Sequence, residues 1–232
     1  MEVLKVNSIT KKYLTKTVLN NLNLALTEGK IYGLLGPNAS GKTTLLKLIA
    51  GLTQPTGGSF SVSGKQAGVA TKNLVSYLPT INHLPRWMTV GNCLSYYQDF
   101  YRDFSPKQAE ERMVAMGLQP KQKISSLSTG MLGRLKIVLA MSRQSKLYLL
   151  DEPFNGLDPI SREKVLEMIL DAANEDNAVV IATHIIKEIE SIMDEVIFLH
   201  EGQVALMGNV ENLRQTRNMS VEELYKEVYG DA

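Results

Sequence analysis

The sequence predicts an α/β fold with a mainly parallel core sheet, an N-terminal antiparallel β-subdomain and an inserted helical subdomain. Three observations carry this. GPNASGKTT at 36–44 joins the strand-like run IYGLL to a helical run. From Leu147 onward strands and helices alternate, and LYLL (147–150) and AVVIAT (178–183) are apolar on both faces, as buried parallel strands are. Between about His83 and Met141 the pattern is mainly helical instead.

The elements follow in order. From Met1 to about Gly64 the pattern is mostly strand; VLNNLNLAL (18–26) puts Leu22, Leu24 and Leu26 on one face with period two. A turn at Thr27–Gly29 leads into Lys30–Leu35. A helix is expected from Lys42 to about Ala50, apolar through Leu45, Leu46, Leu48 and Ile49, with Gly51 at a left-handed cap. GGSFSVSG (57–64) alternates as a strand. Ser105-Pro106-Lys107-Gln108 reads as an N-cap, a first-turn proline and a capping-box glutamine, with Gly117 ending that helix. Met113, Met116 and Tyr96–Tyr97 are read as core. Ser161–Ala173 is helical, another helix is expected from about Ile185, and EVIFLHEGQVALMG (195–208) reads as two strands about Glu201-Gly202. Ser220 opens a last capping box with Glu223.

Composition narrows the function classes. The 232 residues, 44% hydrophobic and 21% charged, suit a globular chain with a proper core. Lys plus Arg number 25 against 24 Asp plus Glu, a net charge of +1, so no strongly basic field marks a nucleic-acid partner and none is expected. The single cysteine, Cys93, precludes an internal disulfide and reads as a small buried residue in a reducing compartment. The N-terminus alternates like a strand, unlike a signal peptide, and no run of 18 apolar residues occurs. The expected location is cytoplasmic.

The chemistry begins at the glycine-rich turn. Gly36, Gly41, Lys42 and Thr43 fit G-x-x-x-x-G-K-[ST], with a strand before and a helix after. Such a loop turns its backbone N–H groups into an anion nest, and the helix N-terminus adds about half a positive charge. Lys42 then reaches the phosphates of a nucleoside triphosphate, and the Thr43 hydroxyl ligates Mg²⁺. In LYLLDEP (147–153) an apolar strand delivers Asp151 and Glu152 to the carboxyl edge of the sheet. Alone, that pair is usually a solvated turn; beside a phosphate cradle, Asp151 suits Mg²⁺ and Glu152 suits the attacking water.

At this point the chain resembles the ATP-binding-cassette (ABC) ATPases, a branch of the P-loop NTPases. Gly36–Thr43, LSTGM (127–131), LYLLDEP with FNGLDP (154–159), and ATH (182–184) stand in that family's order over nearly the whole chain. The resemblance implies ATP and Mg²⁺ as ligands, with Gly36, Pro37, Asn38, Ala39, Ser40, Gly41, Lys42, Thr43 and Thr44 forming the cradle. It implies that Tyr13 stacks on adenine, the alternative being a strand-end tyrosine packed on the sheet. Ser128 and Gly130 would bind the γ-phosphate held by a second copy, Asp158 would communicate across that dimer, and His184 would contact the γ-phosphate. Catalysis would rest on Lys42, Glu152 and His184, and the metal on Thr43 and Asp151. Three departures stand out: Thr129 replaces the usual glycine, Met131 the usual glutamine, and Thr80 the usual glutamine of the loop after SYLP. Threonine reaches less far, so Thr80 would meet the metal only through water.

The resemblance also implies one domain over 1–232, with the helical subdomain at about 83–141. It implies an ATPase subunit that drives transport by ATP-gated dimerisation, as a homodimer or heterodimer, beneath transmembrane permease subunits on the inner face of the cell membrane. The tail NMSVEELYKEVYG (218–230) resembles exporter-type subunits. Docking is expected near HLPRWMTV (83–90), where Leu84, Trp87 and Met88 either form a partner groove or pack into the subdomain's own core. The alternatives are a weakly hydrolysing regulatory subunit and a soluble cassette acting on ribosomes or DNA. Neither cargo nor the choice between like and unlike partners is written in the chain.

Overall fold

The computed structural model describes residues 1–230. The chain opens with the hairpin β1 (Glu2–Tyr13) and β2 (Lys16–Thr27), followed by β3 (Lys30–Leu35) and α1 (Lys42–Ile49). Next come β4 (Gly57–Val62), β5 (Lys65–Gln66), α2 (Val69–Lys72) and β6 (Val75–Leu78), then the helices α3 (Val90–Phe100), α4 (Pro106–Ala115) and α5 (Thr129–Met141). β7 (Leu147–Asp151), α6 (Pro159–Ala172), β8 (Ala178–Thr183), β9 (Glu195–His200), β10 (Gln203–Asn209), α7 (Val210–Arg217) and α8 (Val221–Tyr229) complete it.

Two sheets result. β2-β1-β4-β5 is antiparallel, and β10-β9-β3-β8-β7-β6 is parallel except for the β9–β10 hairpin. The runs that are apolar on both faces became interior strands: every residue of β7 and β8 is buried. Strands of period two became half-buried ones, with Leu22, Leu24 and Leu26 inward on β2 and Phe60 and Val62 inward on β4. One face of the core sheet and the first sheet enclose α1. The other face packs on the helices, and Met113, Met116, Leu135 and Val138 share one continuous core with Leu150, Ile181 and Val196. The helical insert therefore has no separate core.

Helix ends follow local chemistry. Gly51 and Gly117 take the left-handed conformation after α1 and α4 (φ 71° and 68°). Ser220 and Glu223 form the reciprocal capping box of α8. At α4 Ser105 accepts from the Gln108 N–H, but the glutamine does not fold back. Its Oε1 accepts instead from Arg112 one turn on.

One other expectation is corrected and one alternative is decided in part. The helix expected from Ile185 is only a 3₁₀ turn, Ile186–Glu188. Its segment must leave β8, cross β3 and enter β9, while Glu190 is drawn aside to Arg214 and the Val221 N–H. Ile186, Ile189 and Met193 are buried at helical spacing, and the Glu190 and Met193 N–H groups still bond four residues back to the Ile186 and Ile189 carbonyls, so single turns persist without a continuous helix. Of the three apolar residues singled out in 83–90, Leu84 and Met88 join the core that the helices share with the sheet, and Trp87 stays exposed (76%). Cys93 is buried, and burial pushes its thiol up to about 11, so it is inert.

The end of α5 is bolted to the sheet edge by Arg143. Its guanidinium is buried, pairs with Asp103 (3.0 Å), donates to the Val75 carbonyl of β6 (2.7 Å) and lies 4.0 Å over the Tyr101 ring. Arg143→Met takes the guanidinium from the strand carbonyl and from Asp103, whose carboxylate keeps the Ser145 hydroxyl (3.1 Å). Loss of a partner from such a pair costs about 3 kcal/mol. Urea denaturation should show that loss as a lower midpoint at unchanged slope.

Candidate functional site

Strand order places the site. β3, β8 and β7 are neighbours and parallel, so their carboxyl ends lie side by side. Onto that edge they deliver the Gly36–Gly41 loop, Thr183-His184 and Asp151-Glu152, as open parallel sheets do with their ligand sites.

The loop is built for close backbone approach. A Cβ on Gly36 would lie 2.5 Å from the Leu199 carbonyl and 2.7 Å from Ser40 Oγ, so only glycine fits. Gly41 has φ 112° and Ala39 φ 66°, a left-handed backbone that curls the loop around α1's N-terminus. Lys42 is buried, and its ammonium donates to the Gly36 and Pro37 carbonyls at 2.6 and 3.0 Å. Burial lowers its pKa, while Glu152 and Asp151 oppose the shift.

Across the loop, Thr43 Oγ1 donates to Asp151 Oδ1 at 3.0 Å, and the Tyr77 hydroxyl lies 3.4 Å from Oδ2. Asp151 is almost wholly buried, and burial raises its pKa against the hydrogen bond from Thr43. Glu152 follows in a left-handed conformation, φ 52°, that costs a non-glycine residue about 1 kcal/mol or more. That kink turns its carboxylate to accept from Thr183 Oγ1 (3.0 Å) and His184 Nδ1 (2.9 Å). The histidine's Nε2 is thereby the ring nitrogen available to a ligand.

One open groove is lined by Tyr13, Asn38–Thr44, Thr80, Glu152, Asn155 and His184. The ABC transporter profile matches residues 19–155, more than half of the chain, across this loop and both carboxylates. The chain belongs to the ABC transporter family. It is 31% identical over 94% of its length to "Lantibiotic transport ATP-binding protein SrtF" of Streptococcus pyogenes, covering 97% of that protein. It is 33% identical over 95% of its length to "Bacitracin transport ATP-binding protein BcrA" of Enterococcus faecalis, covering 73% of it. Among solved structures, an ATP-binding subunit of an ABC transporter superposes with a TM-score of 0.87 at 27% identity, over 97% of this chain and 99% of that one. The fold is also that of a dimeric ATP-binding cassette in a post-hydrolysis state bound to ADP and Pi (TM-score 0.79, 24% identity, 89% of this chain and 98% of that one). The chain is accordingly an ABC ATP-binding subunit and an ATPase.

Other residues of the cassette's expected site fall as follows. Tyr13 ends β1 at the groove, half-exposed, with Lys11 Nζ 4.7 Å from its ring centroid. Thr80 reaches the Asp151 carbonyl with its hydroxyl (3.3 Å), and the same hydroxyl helps Thr43 oppose the effect of burial on the Asp151 carboxylate. Ser128 caps α5, accepting from the Met131 N–H at 3.2 Å. Neither Ser128 nor Gly130 lines the groove. Asp158 caps α6, and its bonds from Ser161 hold its carboxyl below the usual range. Tyr77 and Thr183, which hold the two acids, lie inside the motifs SYLPT and ATH. Their place at strand ends beside Asp151 is the signal that marks them.

The oxygen set fits Mg²⁺. Thr43 Oγ1 and Asp151 Oδ1 are hard oxygen donors at contact distance, and among the described residues the buried carboxylate has no salt-bridge partner. Among the described residues no group of three His, Cys, Asp or Glu can hold an ion, so Thr43 and Asp151 would hold Mg²⁺ together with phosphate and water oxygens.

Asp151 has its folded pKa raised above the unfolded value. Its cost is therefore absent below the unfolded pKa, grows through the interval and is complete above the folded pKa. Asp151→Asn is expected to raise the Tm of the nucleotide-free chain at pH 7 by about 2–4 °C. The gain should fade as pH approaches 3.8, the ordinary carboxylate value, and ATPase activity should be lost. Thermal melts from pH 4 to 8 check it.

Proposed function

We propose that this cassette powers an exporter-type membrane transporter by binding Mg-ATP between two copies or between itself and a related cassette. One observation carries the reading. The groove gathers Lys42, Thr43, Glu152 and His184 from one chain, while Ser128 and Gly130 stand outside it at the N-terminus of α5. A helix end with unsatisfied N–H groups favours an anion, and here the anion would be the γ-phosphate held by the opposite subunit.

In this reading Tyr13 supports the adenine ring, and Gly36–Thr44 cradle the phosphates. Lys42 leaves its loop carbonyls for the phosphate oxygens, which restore the charge that burial disfavours. Thr43 and Asp151 hold Mg²⁺, and Thr80 reaches it through water; the ion supplies charge neutralisation at the phosphates. Glu152 takes the proton of the attacking water, with Thr183 and His184 fixing its two oxygens. Thr129 narrows the face offered by the opposite α5, and Met131 supplies no amide for the ribose.

The permease contact in this reading is a groove on the helical side, lined by the apolar Leu52 and Ile81, by Tyr97 and Tyr101, and by Lys47 and Lys72. An apolar helix with an acidic residue would suit it. The location is peripheral, on the inner face of the cell membrane; no helix among the described residues is long and apolar enough to cross one. The tail 218–230 supports export, and a lantibiotic and bacitracin, which the relatives' names carry, are the cargoes to test first.

The test is the solution mass of Glu152→Gln with and without ATP and Mg²⁺. Removing the base while keeping the cradle should trap a dimer, so the mass should double only with both present. A chain that binds ATP yet stays monomeric would count against pairing of identical copies and direct the search to an unlike cassette.

A further inference from the structure

Lys136 lies outside every motif of the site, yet it ties two parts of the site together. It sits on α5 two turns beyond Ser128, and its ammonium crosses to the loop after β6. There it donates to the Pro79 and Thr80 carbonyls at 2.8 Å each and approaches the Ile81 carbonyl at 3.5 Å. An ammonium has three donors and no acceptor, so three converging carbonyls saturate it. Such charge-assisted bonds are the strong ones. Burial lowers the Lys136 pKa and Asp151 opposes the shift, so the carbonyls replace water around a cation that feels the metal-site carboxylate.

The loop held this way has little else to anchor it. Thr80 is exposed, and Ile81 is exposed at 66%. The inward contact of Thr80 is its hydroxyl on the Asp151 carbonyl (3.3 Å), one peptide before the φ 52° kink that aims Glu152. A small cavity of about 210 Å³ opens beside it, bounded by Lys136, Thr80, Thr129, Glu152 and Asn155, and leaves the loop room to swing.

We propose that Lys136 is a positioning residue for ATP hydrolysis, fixing the Thr80 loop, and through it the Asp151–Glu152 edge, to the helix that begins at Ser128. The inference rests on Asp151 and Glu152 being the metal-site and base carboxylates. Lys136 touches neither ATP nor the attacking water. It holds the Thr80 peptide, the Thr80 hydroxyl holds the Asp151 peptide, and that peptide sets the direction of Glu152. Because α5 carries Ser128 at its other end, closure of a partner's nucleotide on Ser128 would move the loop with the helix. Lys136 thereby lends the loop the attachment that short Thr80 cannot provide by reaching the metal itself.

The experiment compares the full-length chain with Lys136→Met, Lys136→Arg, Thr80→Ala and the double variant. Steady-state ATPase, affinity for a fluorescent ATP analogue and thermal melts are the readouts. Lys136→Met should lower kcat roughly tenfold while KM and analogue affinity stay within about twofold, since the phosphate cradle is untouched. Lys136→Arg, which still donates to carbonyls, should recover most of kcat. Thr80→Ala should reproduce the loss, and adding it to Lys136→Met should lower kcat no further. Unchanged kcat in Lys136→Met overturns the proposal, as do fully additive losses. A parallel fall in affinity and Tm without recovery by arginine reduces Lys136 to a packing role. If the methionine variant fails to fold, Lys136→Gln answers in its place, its amide predicting an intermediate kcat. Glu152→Gln separates the two levels: wild-type turnover there sinks the catalytic reading itself. A dead Glu152→Gln beside a normal Lys136→Met sinks only this inference.

Discussion

The contact between Thr43 and Asp151 joins the first residues of a helix to the last residue of a neighbouring region of the sheet, around a carboxylate that water barely reaches. Everything near the site is arranged by that meeting. It requires β3 and β7 to point the same way and to be separated by β8 alone, so that their carboxyl ends face one ligand. It also leaves a buried charge whose compensation is incomplete in the chain alone. Thr43 and Tyr77 supply hydrogen bonds to the carboxylate, but a divalent cation is what such an oxygen pair suits.

Stability is given up at the same place. Lys42 is a buried ammonium held by its own loop carbonyls, Ala39 and Glu152 carry left-handed backbone, and Asp151 is pushed towards its neutral form. These features disfavour the empty fold and favour a bound polyphosphate with its metal. Strand β7 and strand β8, buried along their whole length, provide the rigid support that holds them.

The helical insert shares its apolar core with the sheet and is further fastened to this edge by two cations. Arg143 binds it to β6 through Asp103 and the Val75 carbonyl, and Lys136 binds α5 to the loop that follows β6. Both attachments use backbone carbonyls as acceptors. The apolar groove of Ile81, Tyr97 and Tyr101 lies between them, and the end of α5 that carries Ser128 lies outside the chain's own nucleotide groove. The groove and Ser128 are therefore carried by one connected body.

The sequence by itself determined what depends on near neighbours in the chain. Glycine at 36 and 41, Lys42 and Thr43 specify the phosphate loop because steric room and helix polarity are local. The two-face apolar runs specify interior strands, and Asp151-Glu152 fall at a strand end by spacing alone. The same local reasoning failed where tertiary demands intervened. Gln108 gave up its cap for Arg112, and the helix from Ile185 shrank to a 3₁₀ turn on its way across β3. Between the two readings left open at 83–90, the fold put Leu84 and Met88 into the core and left Trp87 out. Only the tertiary structure decided that Thr183 and His184 hold Glu152, that Tyr77 faces Asp151 and that Lys136 grips the Thr80 loop. Those pairings join residues 31 to 74 positions apart, and strand order and helix packing, not sequence spacing, set such distances.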